Sequence, residues 1–348
     1  AKPPPGMKRF PMPHLSTRVL QGLLTLLLTL FGLLLVTFAL SAFSPVDRVL
    51  QIVGDHASQS TYDQVRHQLG LDRPLPVQFW HYLQNLAHGD LGTASATGQP
   101  VLQDLLHAFP ATLELATLAL IIGAVLGVIA GVLCARYAGS PLDLAIRTLT
   151  LLGNSVPIFW LGLLMLALFY AKLQWSAGPG RLDDIWQFTV EPRTGFALVD
   201  TWLSGDREAF RNALSHLVLP VLLLAYYSLA SITRLTRSAC LSEMNKEYIL
   251  LARAKGAGEM TILLRHVLPN IRGTLLTVIA LAYTSMLEGA VLTETVFSWP
   301  GIGRYLTTAL FAGDTTAVMG GTLLIGVCFV LINNLTDLLV RATDPRVR

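Results

Sequence analysis

Charge is scarce in this sequence. Only 14% of its 348 residues are Asp, Glu, Lys or Arg, where an ordinary soluble domain carries about 25%. Cysteine is almost missing. Cys134, Cys240 and Cys328 are three in number and far apart, which argues against a disulfide framework or a zinc knuckle and leaves them as small apolar filler. Cys240 reads as part of a basic loop. There is no GxxxxGK[ST] phosphate loop and no HExxH pair, so the chain has no Walker-type nucleotide site and no zincin centre of its own. No Ser/His/Asp or paired-Asp set falls inside its apolar runs, which argues against an intramembrane enzyme. Nothing in it points to nucleic acid.

Apolar residues are abundant, at 53%, and they are gathered into runs. A membrane-crossing helix needs roughly 20 of them in succession. Leu20–Phe43, Ala111–Cys134, Thr148–Ala171, Asn212–Thr233 and Thr315–Val340 meet this, and Gly273–Phe297 does so with two interruptions, Glu288 and Glu294. Spans in lipid must satisfy their own backbone, so these are helices. The expected fold is an all-α polytopic membrane protein with six spans. The first run is 24 residues long, longer than the roughly 7–15 of a signal-peptide core, and reads as a retained span.

Basic residues orient the spans. With the N-terminus inside, segments 1–19, 135–147, 234–272 and 341–348 face the cytoplasm and hold 16 Lys and Arg. Segments 44–110, 172–211 and 298–314 face outward and hold 9. The positive-inside rule thus places both termini in the cytoplasm.

Gly123, Gly127 and Gly131 form a small-residue ridge on span two, suited to close packing of a neighbouring helix. Pro157 and Pro220 are expected to kink spans three and four. The long outer segment 44–110 reads as a helical cap. "STYDQVRHQLGL" starts with a Ser signal at Ser60, "PVQFWHYLQNLAHG" ends at Gly89, and "PVLQDLLHAF" forms a third helix ahead of span two. His67, His81 and His88 lie in this cap, but two turns of helix between His81 and His88 keep them from sharing one ion. No metal site is expected. Segment 172–211, with "SAGPGRLDD" and "EPRTGFALVD", reads as an outer lobe.

The inner segment 234–272 contains "YILLARAKGAGEMTILLRHVLPNI". Its expected form is two short helices at an angle, the first with an apolar side of Tyr248, Leu251 and Ala252. Gly256 takes the left-handed turn that ends it, and Pro269 stops the second. Such a knob suits either a groove on another protein or the surface of anionic lipid.

"ARAKGAG" followed by "HVLPN" resembles the cytoplasmic coupling loop of binding-protein-dependent ABC importer permeases. That loop runs E-A-A, three residues, G, then I-x-L-P. Here Leu250-Leu251-Ala252 with Gly256 stands for the first part and His266-Val267-Leu268-Pro269 for the second. The leading Glu and first Ala are absent, as is usual in the dipeptide/oligopeptide/nickel branch. "LGLDRPLPVQFWHYLQNLAHGDLGTA", "PATLELA", "ETVFSWPGIGRYL" and the tail "DPRVR" resemble the same branch, most of all the B-type subunits of dipeptide permeases. Ser44-Pro45-Val46-Asp47 departs from the G-D-P often found there.

The resemblance implies a type I ABC importer permease fold, with a core over 111–340 and a coupling helix in 234–272. It implies an inner-membrane subunit forming half of a pore for di- or oligopeptides; a nickel or metal-chelate importer shares the motifs. Its partners would be a second permease, two cytoplasmic ATPases that bind ATP and magnesium, and a periplasmic binding protein. Tyr248, Leu251, Ala252, Ala254, Gly256, His266, Leu268 and Pro269 would carry ATPase coupling. Glu294, Trp299, Pro300, Gly301 and Gly303 would form an outer loop or gate. Glu294 reads as structural, pairing with Arg304 or capping the turn that follows. Glu288, deeper in span five, is the candidate for the translocation path, since a charge at that depth normally faces a pore or a partner. An ion-coupled secondary transporter is the competing class; six spans leave little room for its usual inverted repeats.

Overall fold

Apolar runs longer than a bilayer is thick leave the backbone one local solution, the helix, and the computed structural model takes it throughout. It describes residues 15–44, 46–54 and 56–343. Segment 1–14 and the tail 344–348 lie outside the described residues, as do the side chains of Glu288 and Asp337. Among the described residues there is no strand beyond one isolated bridge, Thr93 with Pro100.

The first long helix is α1 (Leu15–Ala42), followed by α2 (Arg48–Val53), α3 (Gln59–Gln68) and α4 (Leu75–Ala87). Helix α5 (Val101–Arg136) leads to α6 (Pro141–Ser155) and α7 (Ile158–Met165), which runs on as π-helix over Leu166–Lys172. Two short helices, α8 (Asp184–Thr189) and α9 (Ala197–Leu203), precede α10 (Arg207–Met244). Then come α11 (Glu247–Ala254), α12 (Glu259–Ile262), a π-turn over Leu263–Val267, α13 (Leu268–Val296), α14 (Ile302–Phe311) and α15 (Thr315–Thr343).

Helices α5, α10 and α13 form the centre, and α15 ties α13 to α1. The glycine ridge explains why α5 and α10 run so closely together. A methyl group on Gly123 would strike Ser228, one on Gly127 would press on Ile232, and one on Gly131 would strike Thr236. Leucines on the outside of α1, α6 and α15, such as Leu28, Leu144 and Leu338, are more than half exposed, the inside-out arrangement lipid permits.

Among the described residues, four helical stretches are long and apolar enough to cross a bilayer, and a fifth is added if the bent pair of α6 and α7 counts as one. Within Thr148–Ala171 the kink expected at Pro157 is a full break between two helices. Helices α6 and α7 meet at 99°. Pro157 disfavours the helical region for the residue before it, and Val156 is extended at φ −95°, ψ 129°. Pro110 and Pro220, in contrast, stay inside α5 and α10.

Other boundaries also move. The third cap helix is not separate; it is the first part of α5. Ser58, not Ser60, caps α3, its hydroxyl accepting from the Thr61 amide at 3.3 Å. Cys240 lies fully buried in α10 rather than in a loop. Asp47, in the stretch that departs from the family pattern, caps α2 by accepting from the Val49 amide at 2.8 Å and also accepts from the Tyr62 hydroxyl at 2.7 Å. That hydroxyl holds the Asp47 carboxyl below its usual range. The three cap histidines go to different partners: His67 to Asp72, His81 to Arg73 and His88 to the Gln84 carbonyl.

Candidate functional site: a knob and a loop at opposite ends of the bundle

The candidate residues separate into two groups. Both touch α5, one near Thr112 and the other near Val132, about 30 Å apart at 1.5 Å per residue.

The first group is the knob. Helix α11 ends in a Schellman turn: the Gly256 amide donates to the Arg253 carbonyl at 2.9 Å and the Ala257 amide to the Ala252 carbonyl at 3.1 Å. Gly256 sits at φ 84°, where a side chain would be strained. Arg253 then spans the turn to Glu259, with N–O distances of 2.8 and 3.2 Å. Pro269 does not stop the helix that follows. The π-turn over Leu263–Val267 carries the chain into α13, and Pro269 falls in its first turn, where a missing N–H costs least. The knob is therefore one short helix and the start of a long one.

Its underside is fixed to the bundle. Ile249, Ile262, Leu263 and Val267 are fully buried against Val132, Ala135, Cys240 and Ile271. Tyr248 and Ala252 are half-buried beside them. The Tyr248 hydroxyl donates to Glu243 at 2.7 Å and accepts from Asn270 at 3.2 Å, while Asn270 also donates to the His266 carbonyl at 2.7 Å. The expected apolar side thus divides. Tyr248 and Ala252 face the chain's own core, as do His266 and Leu268 in part, whereas Leu251 faces outward with Ala254, Gly256 and Pro269. Leu250 and Leu251 are 60% and 58% exposed.

The second group encloses Glu294, which is fully buried. Helix α13 also ends in a Schellman turn, the Trp299 amide donating to the Glu294 carbonyl at 2.8 Å. Ser298 occupies the position glycine usually takes, at φ 50°. The Glu294 carboxylate accepts from the Thr112 hydroxyl at 2.6 Å and from the Arg304 amide at 3.1 Å. It thus caps α14 from another element, while the Arg304 guanidinium goes to the Ser298 carbonyl at 2.6 Å. Trp299 is buried and its indole donates to the Ala111 carbonyl at 2.9 Å. Gly301 and Gly303 are the residues that admit the carboxylate: a methyl on Gly301 would overlap it, and one on Gly303 would overlap the Val291 backbone. Pro300 is exposed on the rim of a cavity of about 450 Å³ that the 172–211 lobe completes.

Sequence reasoning did not reach the residues that hold this lobe. Glu114 accepts from Arg181 Nε at 3.2 Å and from the Ala197 and Leu198 amides at 3.1 and 2.8 Å. The Arg181 guanidinium lies 5.6 Å from the centre of a Trp299 ring. Asp200 gathers the Thr194 and Gly195 amides at 2.8 and 3.0 Å. Glu114 is the single charge in the apolar run Ala111–Cys134, and its partners come from a distant segment. At the knob end, Arg237 makes a bidentate pair with Asp143, both distances 2.8 Å. Asp314 caps α15 and also takes the Ser95 amide at 2.5 Å.

Residues 100–348 match the family model for the binding-protein-dependent transport system inner membrane component, and residues 14–116 match the model for its N-terminal part. The chain is 45% identical over 322 residues to the probable D,D-dipeptide transport system permease protein DdpB of Escherichia coli (strain K12), covering 92% of this chain and 94% of that one. It is 41% identical to the di/tripeptide transport system permease protein DppB of Pseudomonas aeruginosa (strain UCBPP-PA14), covering 92% and 95%. With the dipeptide transport system permease protein DppB of Escherichia coli (strain K12) it shares 39% identity over 95% and 98%. Among solved structures, a chain of the MetNI methionine ABC transporter in an inward-facing form aligns with a TM-score of 0.53 at 18% identity, over 70% of this chain and 97% of that one; that likeness is one of fold. The chain belongs to the family of binding-protein-dependent transport system inner membrane components.

Proposed function

We propose that this member of the family is one of two permease subunits of an ATP-driven importer for dipeptides and short oligopeptides. It carries six spans in the inner membrane, with both termini and the knob on the cytoplasmic side. A second, similar permease completes the pore. A periplasmic binding protein delivers substrate at the opposite face, where α2–α4 form a cap. Two ATPase chains bind ATP and magnesium, since this chain has no phosphate loop.

One observation carries this reading: the knob is apolar and exposed above, and welded to the bundle below. Leu250 and Leu251 offer a small greasy ridge to a groove. Ile249, Ile262 and Leu263 pass any push on that ridge to α5 and α10 without a soft joint between. Movement of the ATPases would therefore tilt whole spans. A basic loop resting on lipid would have no need of that rigid underside. The peptide class rests on the relatives' substrates, and Glu288 in α13 remains the candidate for the path.

The test is to purify the tagged chain gently from its native membrane and identify what accompanies it. The reading predicts a second permease and two nucleotide-binding chains. A chain that arrives folded and alone would contradict it.

A further inference from the structure

A second polar site lies at the knob end, apart from both groups above. Helices α6 and α10 enclose a cavity of about 310 Å³ lined by Arg147, Thr150, Thr233, Arg234, Arg237 and Ser238, with Leu151 at its side. On α10, positions 233, 234 and 237 share one face, and on α6, positions 147 and 150 do. The charges do not cancel. Asp143 is the carboxylate that reaches this cluster, and its two oxygens are engaged by Arg237. Arg147 and Arg234 are exposed and form no ion pair among the described residues. Thr233 lines the same cavity; it is only 1% exposed, and its buried hydroxyl has no hydrogen-bond partner among the described residues.

Two unpaired guanidiniums on facing helices and an unpaired buried hydroxyl make a set of donors that needs an acceptor. A tetrahedral oxyanion supplies several acceptor oxygens at once, and the guanidinium fork matches phosphate geometry. The position narrows the source. Arg234 directly follows the apolar run of α10, and Leu151, which lines the cavity, is more than half exposed, as are Leu149 and Leu152 on the same helix. That is the depth of a headgroup, where basic pockets between spans take phosphate.

We propose that this cavity is a phosphate-binding site, filled by the headgroup of an anionic phospholipid from the leaflet at the knob end. The site is independent of what the chain transports.

The test uses the whole complex in nanodiscs of phosphatidylcholine, titrated with phosphatidylglycerol, with the thermal midpoint as readout. A parallel arm adds inorganic phosphate against chloride at equal ionic strength. We expect the lipid to raise the midpoint, and its half-saturating fraction to rise at least tenfold in R147Q/R234Q and severalfold in T233V. Stabilisation by inorganic phosphate alone, lost in the same variants, would keep the site and change its source. Wild type and variants responding alike in both arms would overturn the proposal. T233V is nearly isosteric and decides the matter should the double variant not fold.

Discussion

The Tyr248 hydroxyl lies 2.7 Å from a Glu243 carboxylate oxygen, so the last turn of α10 and the first turn of α11 are bonded to each other. Asn270 reaches the same hydroxyl from α13 at 3.2 Å. Three elements meet at one oxygen, at the point where the knob joins the bundle. Tyr248→Phe removes that oxygen and keeps the ring. Glu243, 5% exposed, then keeps Lys246 at 2.6 Å. The expected loss is about 1–3 kcal/mol, with peptide uptake falling further than ATP hydrolysis. The ratio of peptide imported to ATP consumed checks it; a lower melting point with an unchanged ratio would make Tyr248 purely structural.

Leu251 tests the other side of the knob. It is 58% exposed and supports no core, so Leu251→Asp should change stability by no more than about 0.5 kcal/mol. If it enters a groove on the ATPase, its loss costs about 2 kcal/mol of binding, roughly thirtyfold in affinity. Co-purification of the ATPase should fall accordingly. A loop that merely rests on lipid would leave the ATPase stoichiometry unchanged.

Some of this was legible in the sequence because its cause is local. Gly256 ends a helix through its own backbone freedom, and Gly123, Gly127 and Gly131 mark a close helix approach by spacing alone. Proline was harder. Pro157 breaks span three while Pro110 and Pro220 do not break α5 or α10. The difference lies in whether neighbours hold the helix together. The stretches around Pro110 and Pro220 pack through Ala111, Leu115, Leu217 and Val221 in the central core, whereas Leu151 and Leu152, just before Pro157, face outward. Pro269 was misread because a π-turn shifts it into a first helical turn. Glu114 could be seen but not understood, since Arg181 and Leu198 are 67 and 84 residues away. Distant pairing leaves no periodic trace in the chain.

Glu114→Gln probes the outer lobe. Glu114 is buried and meets Arg181, whose side chain is 17% exposed. Breaking such a pair costs about 3–5 kcal/mol, and much of that should appear as local opening of 172–211. Limited proteolysis in this lobe should quicken by tenfold or more, with the knob end unaffected. An unchanged cleavage rate would show that the amides of Ala197 and Leu198 suffice to hold it.

Gly301→Ala places a methyl against the buried Glu294 carboxylate. Overpacking of this kind costs about 1–3 kcal/mol, and the capping of α14 should weaken with it. Gly258→Ala is the control, since nothing lies within 4 Å of the added methyl. Thermal unfolding in detergent should separate the two variants by several degrees. Equal midpoints would mean that the Trp299 loop yields without penalty.

The central claim is that ATP hydrolysed by partner chains drives transport through the knob. Uptake of a labelled dipeptide into proteoliposomes containing the full complex and binding protein, with ion gradients clamped, tests it most directly. The account predicts uptake that requires ATP on the knob side, survives ionophores and is abolished by Leu251→Asp. Uptake that continues without ATP and collapses with ionophores would contradict it.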